Sequence, residues 1–228
     1  MCNKNTSLVF SLLVCITLGF NTLYAQNSNG ASSIFKTTQE GTMHSAFASF
    51  SPALSTTANN NTTTYNNYQT YSLGYYITNP MPGASLPLMI ESGITINWHH
   101  QDYSPAPNRS ATEDIVSSKI PANLLMRIGL SPDFIISPYA GLFGKANLFG
   151  KRTQTYSSSA ESKTETENLF DKGDMSGNPY KRILIGYNAG LRFQYSKYYA
   201  IIEYESSFTN LTYNSKYHLT SFGIGFIL

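Results

Sequence analysis

Residues 88–99 read LMIESGITINWH, and this stretch decides the fold class. Its side chains fall into two alternating sets, one mostly apolar and one polar or small. Successive side chains of a β-strand point to opposite faces, so the alternation predicts a strand with one apolar and one polar face. The apolar set is Leu88, Ile90, Ser92, Ile94, Ile96 and Trp98, and the opposite set is Met89, Glu91, Gly93, Thr95, Asn97 and His99.

The same alternation recurs along the chain on both sides of this stretch. No helical periodicity competes with it beyond residue 39. Counted with the opening stretch, the pattern predicts eight strands. The further clear runs are 119–130, 182–194, 200–209 and 221–228; weaker runs are 70–77 and 140–148, and 42–51 is a plausible first strand.

The predicted connections alternate between short turns and long polar segments. The short ones are 79–85, 131–133 and 196–197, and the long ones are 52–68, 101–116 and 151–179, with 211–215 as a brief fourth. Long loops at one end and short turns at the other are typical of transmembrane barrels. We therefore predict an all-β fold, an eight-stranded antiparallel up-and-down transmembrane β-barrel.

Alternation alone leaves open which face points outward. A soluble lipocalin-like carrier would enclose its apolar face around a ligand. Here the apolar faces carry no charge through their central stretches, whereas the polar faces are rich in Gly, Ser, Asn and Thr. A charge near the bilayer midplane costs about 2–4 kcal/mol on a barrel's lipid face, so this pattern favours apolar side chains toward lipid.

The polar face then lines the lumen, and eight strands leave an interior that side chains can fill. Arg182 and Arg192 lie on the strand next to that of Glu203 and Glu205, so cross-strand ion pairs are available. Paired charges are the form in which a narrow interior tolerates ions. We predict a lumen charge network of Glu91, Arg127, Arg182, Arg192, Glu203 and Glu205, with Lys119, Lys145 and His99 also facing inward.

Tyrosine rings cluster toward the ends of the predicted strands. Their amphipathic rings suit the two interfacial girdles of a membrane barrel, although tyrosine is also a good strand former. The candidates are Tyr71, Tyr75, Tyr180, Tyr195, Tyr198, Tyr213 and Tyr217.

Composition restricts the classes of function. Only 12% of residues are charged, against about 25% in a typical soluble domain. The net charge of +2 and the absence of a Lys/Arg-rich run argue against nucleic acid as a partner. The mean hydropathy of −0.22 and a single long apolar run, at the N-terminus, exclude a polytopic helical membrane protein.

The N-terminus predicts an exported protein. Residues 1–25 have the pattern of a signal peptide, with Lys4 before an apolar run and Ala25 at the cleavage site. Bulky Val14 before Cys15 argues against a lipoprotein box. Residues 26–41 form an Asn/Ser/Thr-rich flexible lead-in, and 42–228 the outer-membrane barrel domain. Both cysteines lie within the signal peptide, which leaves the mature chain without disulfides or cysteine ligands.

The residues hold little sign of catalytic or metal chemistry. His99, His100 and Asp102 could be metal ligands, but adjacent residues of a strand point apart. The segment DKGD at 171–174 lacks the regular spacing and the closing glutamate of a calcium loop. Histidines and serines are available for hydrolysis, yet no nucleophile elbow is present. We predict no metal, no cofactor and no enzyme activity, with a lipid-modifying enzyme at the barrel rim as the alternative.

Several short motifs resemble the PorT-like outer-membrane β-barrel proteins of the Bacteroidetes. They are IPANLL at 120–125, SPYAG at 137–141, GYNAG at 186–190, the segment 204–212 and FGIGF at 222–226, with Ala25-Gln26 similar to signal junctions of that phylum. The resemblance covers 42–228 and implies a small barrel without catalytic residues. One family member takes part in protein secretion, which implies envelope or secretion-system partners.

From these observations we predict a monomeric outer-membrane scaffold. Its barrel would contact outer-membrane lipid, and its loops would be displayed outside the cell for interaction. The long loop 151–179 looks specific to this chain and is the first candidate for an individual role.

Overall fold

The computed structural model describes residues 41–58, 61–65, 67–81, 87–157, 162–171, 179–212 and 215–228. These ranges are almost entirely β-strand. The strands are β1 (Met43–Ser51), β2 (Leu54–Ala58), β3 (Asn61–Tyr65), β4 (Tyr68–Pro80), β5 (Leu88–Ala106), β6 (Arg109–Met126), β7 (Ile128–Gly129), β8 (Phe134–Ser157), β9 (Ser162–Asn168), β10 (Ile183–Tyr195), β11 (Tyr198–Ser207) and β12 (Lys216–Ile227).

Eight of these strands close into an antiparallel ring in the order β1, β4, β5, β6, β8, β10, β11, β12. The first and last strands pair from Ser45 beside Ile227 to Phe50 beside Phe222. A closed ring satisfies the backbone hydrogen bonds of every strand without leaving an edge, which is what residence in lipid requires. The predicted eight-stranded up-and-down barrel is confirmed.

The two faces of the barrel have the predicted orientation. Leu73 and Ile224 are 69% and 72% exposed on the exterior, whereas Glu91 is fully buried inside. Because the interior contains charged and polar side chains rather than an apolar calyx, the lipocalin-like carrier is wrong. Other exterior residues are Ile94, Ile96, Ile120, Leu142, Ile185, Ile202 and Phe222.

The two ends of the barrel differ. At the end with the predicted long loops, which we call the long end, the structure corrects the prediction. β5 and β6 continue as strands through Ala106 and Arg109, where a loop was predicted. Likewise β8 runs to Ser157 and pairs with β9, and β2 pairs with β3. Above the lipid both faces of a strand are polar, so hydropathy no longer alternates and the sequence pattern resembles a loop.

The short end has tight turns, as predicted. β10 and β11 are joined through Ser196 and Lys197, and Ser196 has a φ of 52°, the left-handed conformation that such turns require. The predicted signal peptide and nearly all of the lead-in lie outside the described residues. Within the described ranges no helix has the length and hydropathy needed to cross a bilayer.

Candidate functional site

The middle of the lumen contains a lysine held between two glutamates. Lys119 of β6 donates to Glu203 at 2.7 Å and to Glu205 at 2.8 Å, both on β11 across the barrel. Tyr139 donates its hydroxyl to Glu203 at 3.0 Å, and Tyr217 donates to Glu205 at 3.2 Å. All five side chains are buried, so the carboxylates obtain from the protein the hydrogen bonds that water would otherwise supply.

A second lysine lies close to this cluster. The Nζ atom of Lys145 is 3.9 Å from Glu205 and 4.9 Å from the centre of the Tyr217 ring. The two lysines therefore balance the two glutamates in formal charge.

A separate ion pair occupies the part of the lumen nearer the short turns. Arg192 donates to Glu91 at 2.7 Å, and Thr78 donates to the same carboxylate oxygen at 2.9 Å. The guanidinium of Arg192 also lies 4.7 Å from the centre of the Tyr199 ring. Because β5 and β10 lie three places apart in the ring of eight strands, the pair joins opposite walls of the barrel.

Asn188 links the two clusters. Its side-chain amide donates to Glu203 and to the side-chain Oδ1 atom of Asn123, both at 3.0 Å. The side-chain amide of Asn123 in turn donates to Glu91 at 3.3 Å. Gly141 lies between Asn188 and Asn123 in the strand register, and a Cβ there would be 2.3 Å from the Asn123 side chain. The missing side chain at Gly141 is what allows the two amides to meet.

Two predicted lumen arginines lie elsewhere than the central network. Arg127 is at the short end, where it donates to Met43 Sδ at 3.2 Å and lies 3.5 Å from Gln194. Arg182 is exposed and its guanidinium lies 4.5 Å from the centre of the Phe170 ring. It precedes the first residue of β10, so the inward alternation does not reach it.

The expected pairing of Arg182 and Arg192 with Glu203 and Glu205 is therefore wrong. The register places Gly190 beside Glu203 and Asn188 beside Glu205, which leaves Arg192 nearer the short end. The prediction assumed that each arginine pairs with a glutamate on the adjacent strand. Instead, Lys119 and Arg192 reach across the lumen to glutamates on strands that are not adjacent.

The tyrosines divide between the two faces. Tyr71, Tyr75, Tyr195 and Tyr198 are exposed on the exterior, where a girdle was predicted. Tyr217 is only 1% exposed and belongs to the lumen, which corrects its assignment to the girdle. Tyr139 was missed, although its place on the polar face of β8 was a usable signal. Tyr213 lies outside the described residues.

Beyond the lumen, the inner face of the long hairpins contains another charged cluster. Arg152 of β8 donates to Glu113 at 2.7 Å and to Glu167 of β9 at 2.9 Å. Tyr103 and Tyr180 also donate their hydroxyls to Glu113, at 2.7 Å and 3.1 Å. Burial alone would lower the pKa of Arg152, but the charge of Glu113, its hydrogen bond and the nearby Tyr103 and Tyr180 together raise it. The cluster ties β5, β6, β8 and β9 into one extension.

Apolar side chains close the lumen below this extension. They pack against the ring of Tyr217, and the cavity that they line there has a volume of about 10 Å³. The cluster comprises Leu54, Tyr68, Phe143, Leu184, Leu211, Tyr217 and Leu219.

The histidines on β5 do not form a metal site. His99 is buried inside, hydrogen-bonded to Thr70 at 2.7 Å and Ser117 at 3.1 Å. His100 points outward, 2.8 Å from Asp114 and 3.2 Å from Asp102. In the part of the chain that the structure describes, no three His, Cys, Asp or Glu side chains are grouped to hold a metal. The segment 171–174 lies mostly outside that part.

Comparisons with known proteins found similar solved structures and no similar sequence. No protein-family model and no curated protein matches the sequence. Among solved structures, Ail, the attachment invasion locus protein of Yersinia pestis, is 13% identical with a TM-score of 0.45, over 83% of this chain and 99% of its own. Neisserial surface protein A is 11% identical with a TM-score of 0.40, over 82% and 99%. The N-terminal β-barrel domain of Pseudomonas aeruginosa OprF is 10% identical with a TM-score of 0.31, over 81% and 97%.

Proposed function

We propose that this protein is a non-conducting outer-membrane scaffold that displays its long hairpins outside the cell for interaction. The observation that carries the proposal is the lumen: buried ion pairs join opposite walls, and an apolar cluster covers them. A solute would have to break these contacts to pass, so transport is a poor use of this barrel. The extended hairpins are the part of the chain that is available for interaction.

The orientation follows the habit of outer-membrane barrels, whose longer connections face outward. In that orientation β2–β3 and the extension of β5, β6, β8 and β9 project from the cell. We further propose membership of the PorT-like family on the five motifs. Three of these motifs are in contact, because Asn123, Gly141 and Asn188 come from IPANLL, SPYAG and GYNAG. Secretion-system or other envelope proteins are the proposed partners.

Conductance and crosslinking test the two parts of this function. Purified protein in planar bilayers should give no steady single-channel current, and a stable conductance of the barrel would contradict the scaffold. For interaction, residues 153–166 would be replaced by a short Gly-Ser turn, which retains the Arg152 contacts. In-cell crosslinking should lose a specific adduct in this variant.

The control trims the other hairpin by replacing residues 57–62. If both variants retain the adducts of the unmodified protein, the hairpins are not the interaction surface.

A further inference from the structure

On β6, β8 and β9 the outward face of the extension carries hydroxyl groups arranged in rows, and Asp102 of β5 accepts from Thr112 at the edge of one row at 2.6 Å. Ser110, Thr155 and Thr164 lie side by side on β6, β8 and β9, and Thr112, Thr153 and Thr166 form the row below. Thr153 and Thr166 are hydrogen-bonded at 3.3 Å, as are Thr155 and Thr164. We call these six residues the hydroxyl face.

The two faces of the same strands differ sharply in chemistry. In β9, Ser162, Thr164, Thr166 and Asn168 share the outward face, while Lys163, Glu165 and Glu167 share the other. The outward face of β9 therefore offers neutral hydrogen-bonding groups to a partner, and the charges on the outward face of the extension lie on β5, β6 and β8, at Asp102, Asp114 and Lys151.

The hydroxyl face continues directly from the lipid-facing belt. On β8 the outward side chains run from Phe149, which is 72% exposed, through Lys151 to Thr153. On β5 and β6, Trp98 donates to Asp114 at 3.2 Å, so the last aromatic ring touches the first polar row. The layer of a membrane that lies just beyond such a ring is the headgroup layer.

The other long hairpin repeats the arrangement. Ser55 and Thr64 are paired across β2 and β3 at 2.9 Å, and so are Thr57 and Thr62. Thr57 also hydrogen-bonds to outward-facing His218 of β12 at 3.0 Å. Outward hydroxyl pairs thus stand above the lipid belt on both hairpins.

We infer that the hydroxyl face binds the saccharide headgroups of glycolipids in the outer leaflet. This inference rests on the proposed function, because it needs the long end to lie outside the cell. A hydroxyl both donates and accepts hydrogen bonds, as saccharide hydroxyls do. Lys151, whose side chain is 64% exposed and whose Nζ atom is 3.7 Å from Asp114, stands in the row nearest the lipid, where glycolipid phosphates lie. A headgroup standing beside the barrel would meet the cation first and the hydroxyl rows above it.

The test measures glycolipid binding to the full protein in detergent. The probes are purified lipooligosaccharide and the lipid A obtained from it by removing the sugar core. The unmodified protein should prefer lipooligosaccharide by on the order of 10-fold or more, as several added hydrogen bonds allow. Thr153→Val/Thr155→Val/Thr164→Val/Thr166→Val, which retains β-branched residues, should lose this preference.

The matched control is Thr56→Val/Thr63→Val. This pair lies on the inward face of β2–β3, since Thr56 is beside buried Tyr217 and Thr63 is beside Thr56. The control should keep the preference. Equal binding of the two lipids by the unmodified protein, or an undiminished preference in the fourfold variant, would overturn the inference. So would a change in self-association as the only effect of the variant. Absence of channel current in the same preparations would leave the scaffold function standing.

Discussion

At the scale of single residues, the lumen is stabilised by charges that depend on each other. Lys119 is the central cation, because its Nζ atom lies 2.7 Å from Glu203 and 2.8 Å from Glu205. Removing one partner of a buried ion pair leaves an uncompensated charge, which destabilises far more than the pair itself stabilises. Lys119 is therefore more important to the fold than its modest volume suggests.

We expect Lys119→Met to lower the free energy of unfolding by about 3–5 kcal/mol. The measurement is denaturant unfolding in lipid vesicles, followed by the fluorescence of Trp98, the single tryptophan. Lys119→Met/Glu203→Gln removes one of the stranded charges and should recover part of the loss. A Lys119→Met protein within about 1 kcal/mol of the unmodified one would contradict the assigned role, since so small a change is that of an exposed ion pair.

His100 gives the extension a dependence on pH. Its hydrogen bond to Asp114 raises its pKa above the ordinary 6.5, and a second bond to Asp102 acts in the same direction. A raised pKa in the folded state stabilises the fold below pH 6.5, and this contribution is lost as pH rises through the folded pKa. Comparing unfolding of the unmodified protein and His100→Gln should show a larger difference at pH 5.5 than at pH 9. An equal difference at both would contradict the pairing.

At the scale of elements, neighbouring strands fit by matching a ring on one to a glycine on the next. Tyr139 of β8 covers Gly190 of β10, where a Cβ would be 2.6 Å from the tyrosine hydroxyl. Phe143 covers Gly186 in the same way. The inward rings fill space that two facing side chains could not share, which fixes the register of β8 against β10.

Along its length, the outward face of each long strand passes from contact with lipid to contact with water. Ile120, 59% exposed, lies in the middle of the lipid belt of β6, whereas Ser110 lies on the same face beyond it. Ile120→Arg should reduce assembly into the membrane, since a midplane arginine costs about 2–4 kcal/mol. Ser110→Arg, the matched control, should assemble normally. Membrane-fraction yield after expression measures both, and equal yields would contradict the placement of the lipid belt.

At the scale of the whole molecule, closure of the ring joins the two ends of the domain. β1 and β12 pair over six residues, so the barrel is complete only when its last strand is in place. An open sheet would expose unpaired backbone groups to lipid, where each costs several kcal/mol.

Closure predicts a gel-mobility shift. The unboiled protein should migrate faster than the boiled protein, because a closed barrel stays compact in detergent. Removing residues 219–228, which form most of β12, should abolish the fast form. Replacing residues 153–166 should preserve it, because that change leaves the ring intact. A fast form that survives loss of β12 would show that compactness does not depend on closure.

The sequence alone determined the strands and their two faces, because a strand's alternation is local and the lipid belt makes one face uniformly apolar. It placed Glu91, Lys119, Lys145, Arg192, Glu203 and Glu205 on the inner face for the same reason. Only the tertiary structure decided which charges meet. Lys119 reaches Glu203 across 84 residues of chain, and that contact depends on strand tilt and stagger around a closed ring. The hairpin extensions also needed the structure, because two polar faces leave no hydropathy period to read.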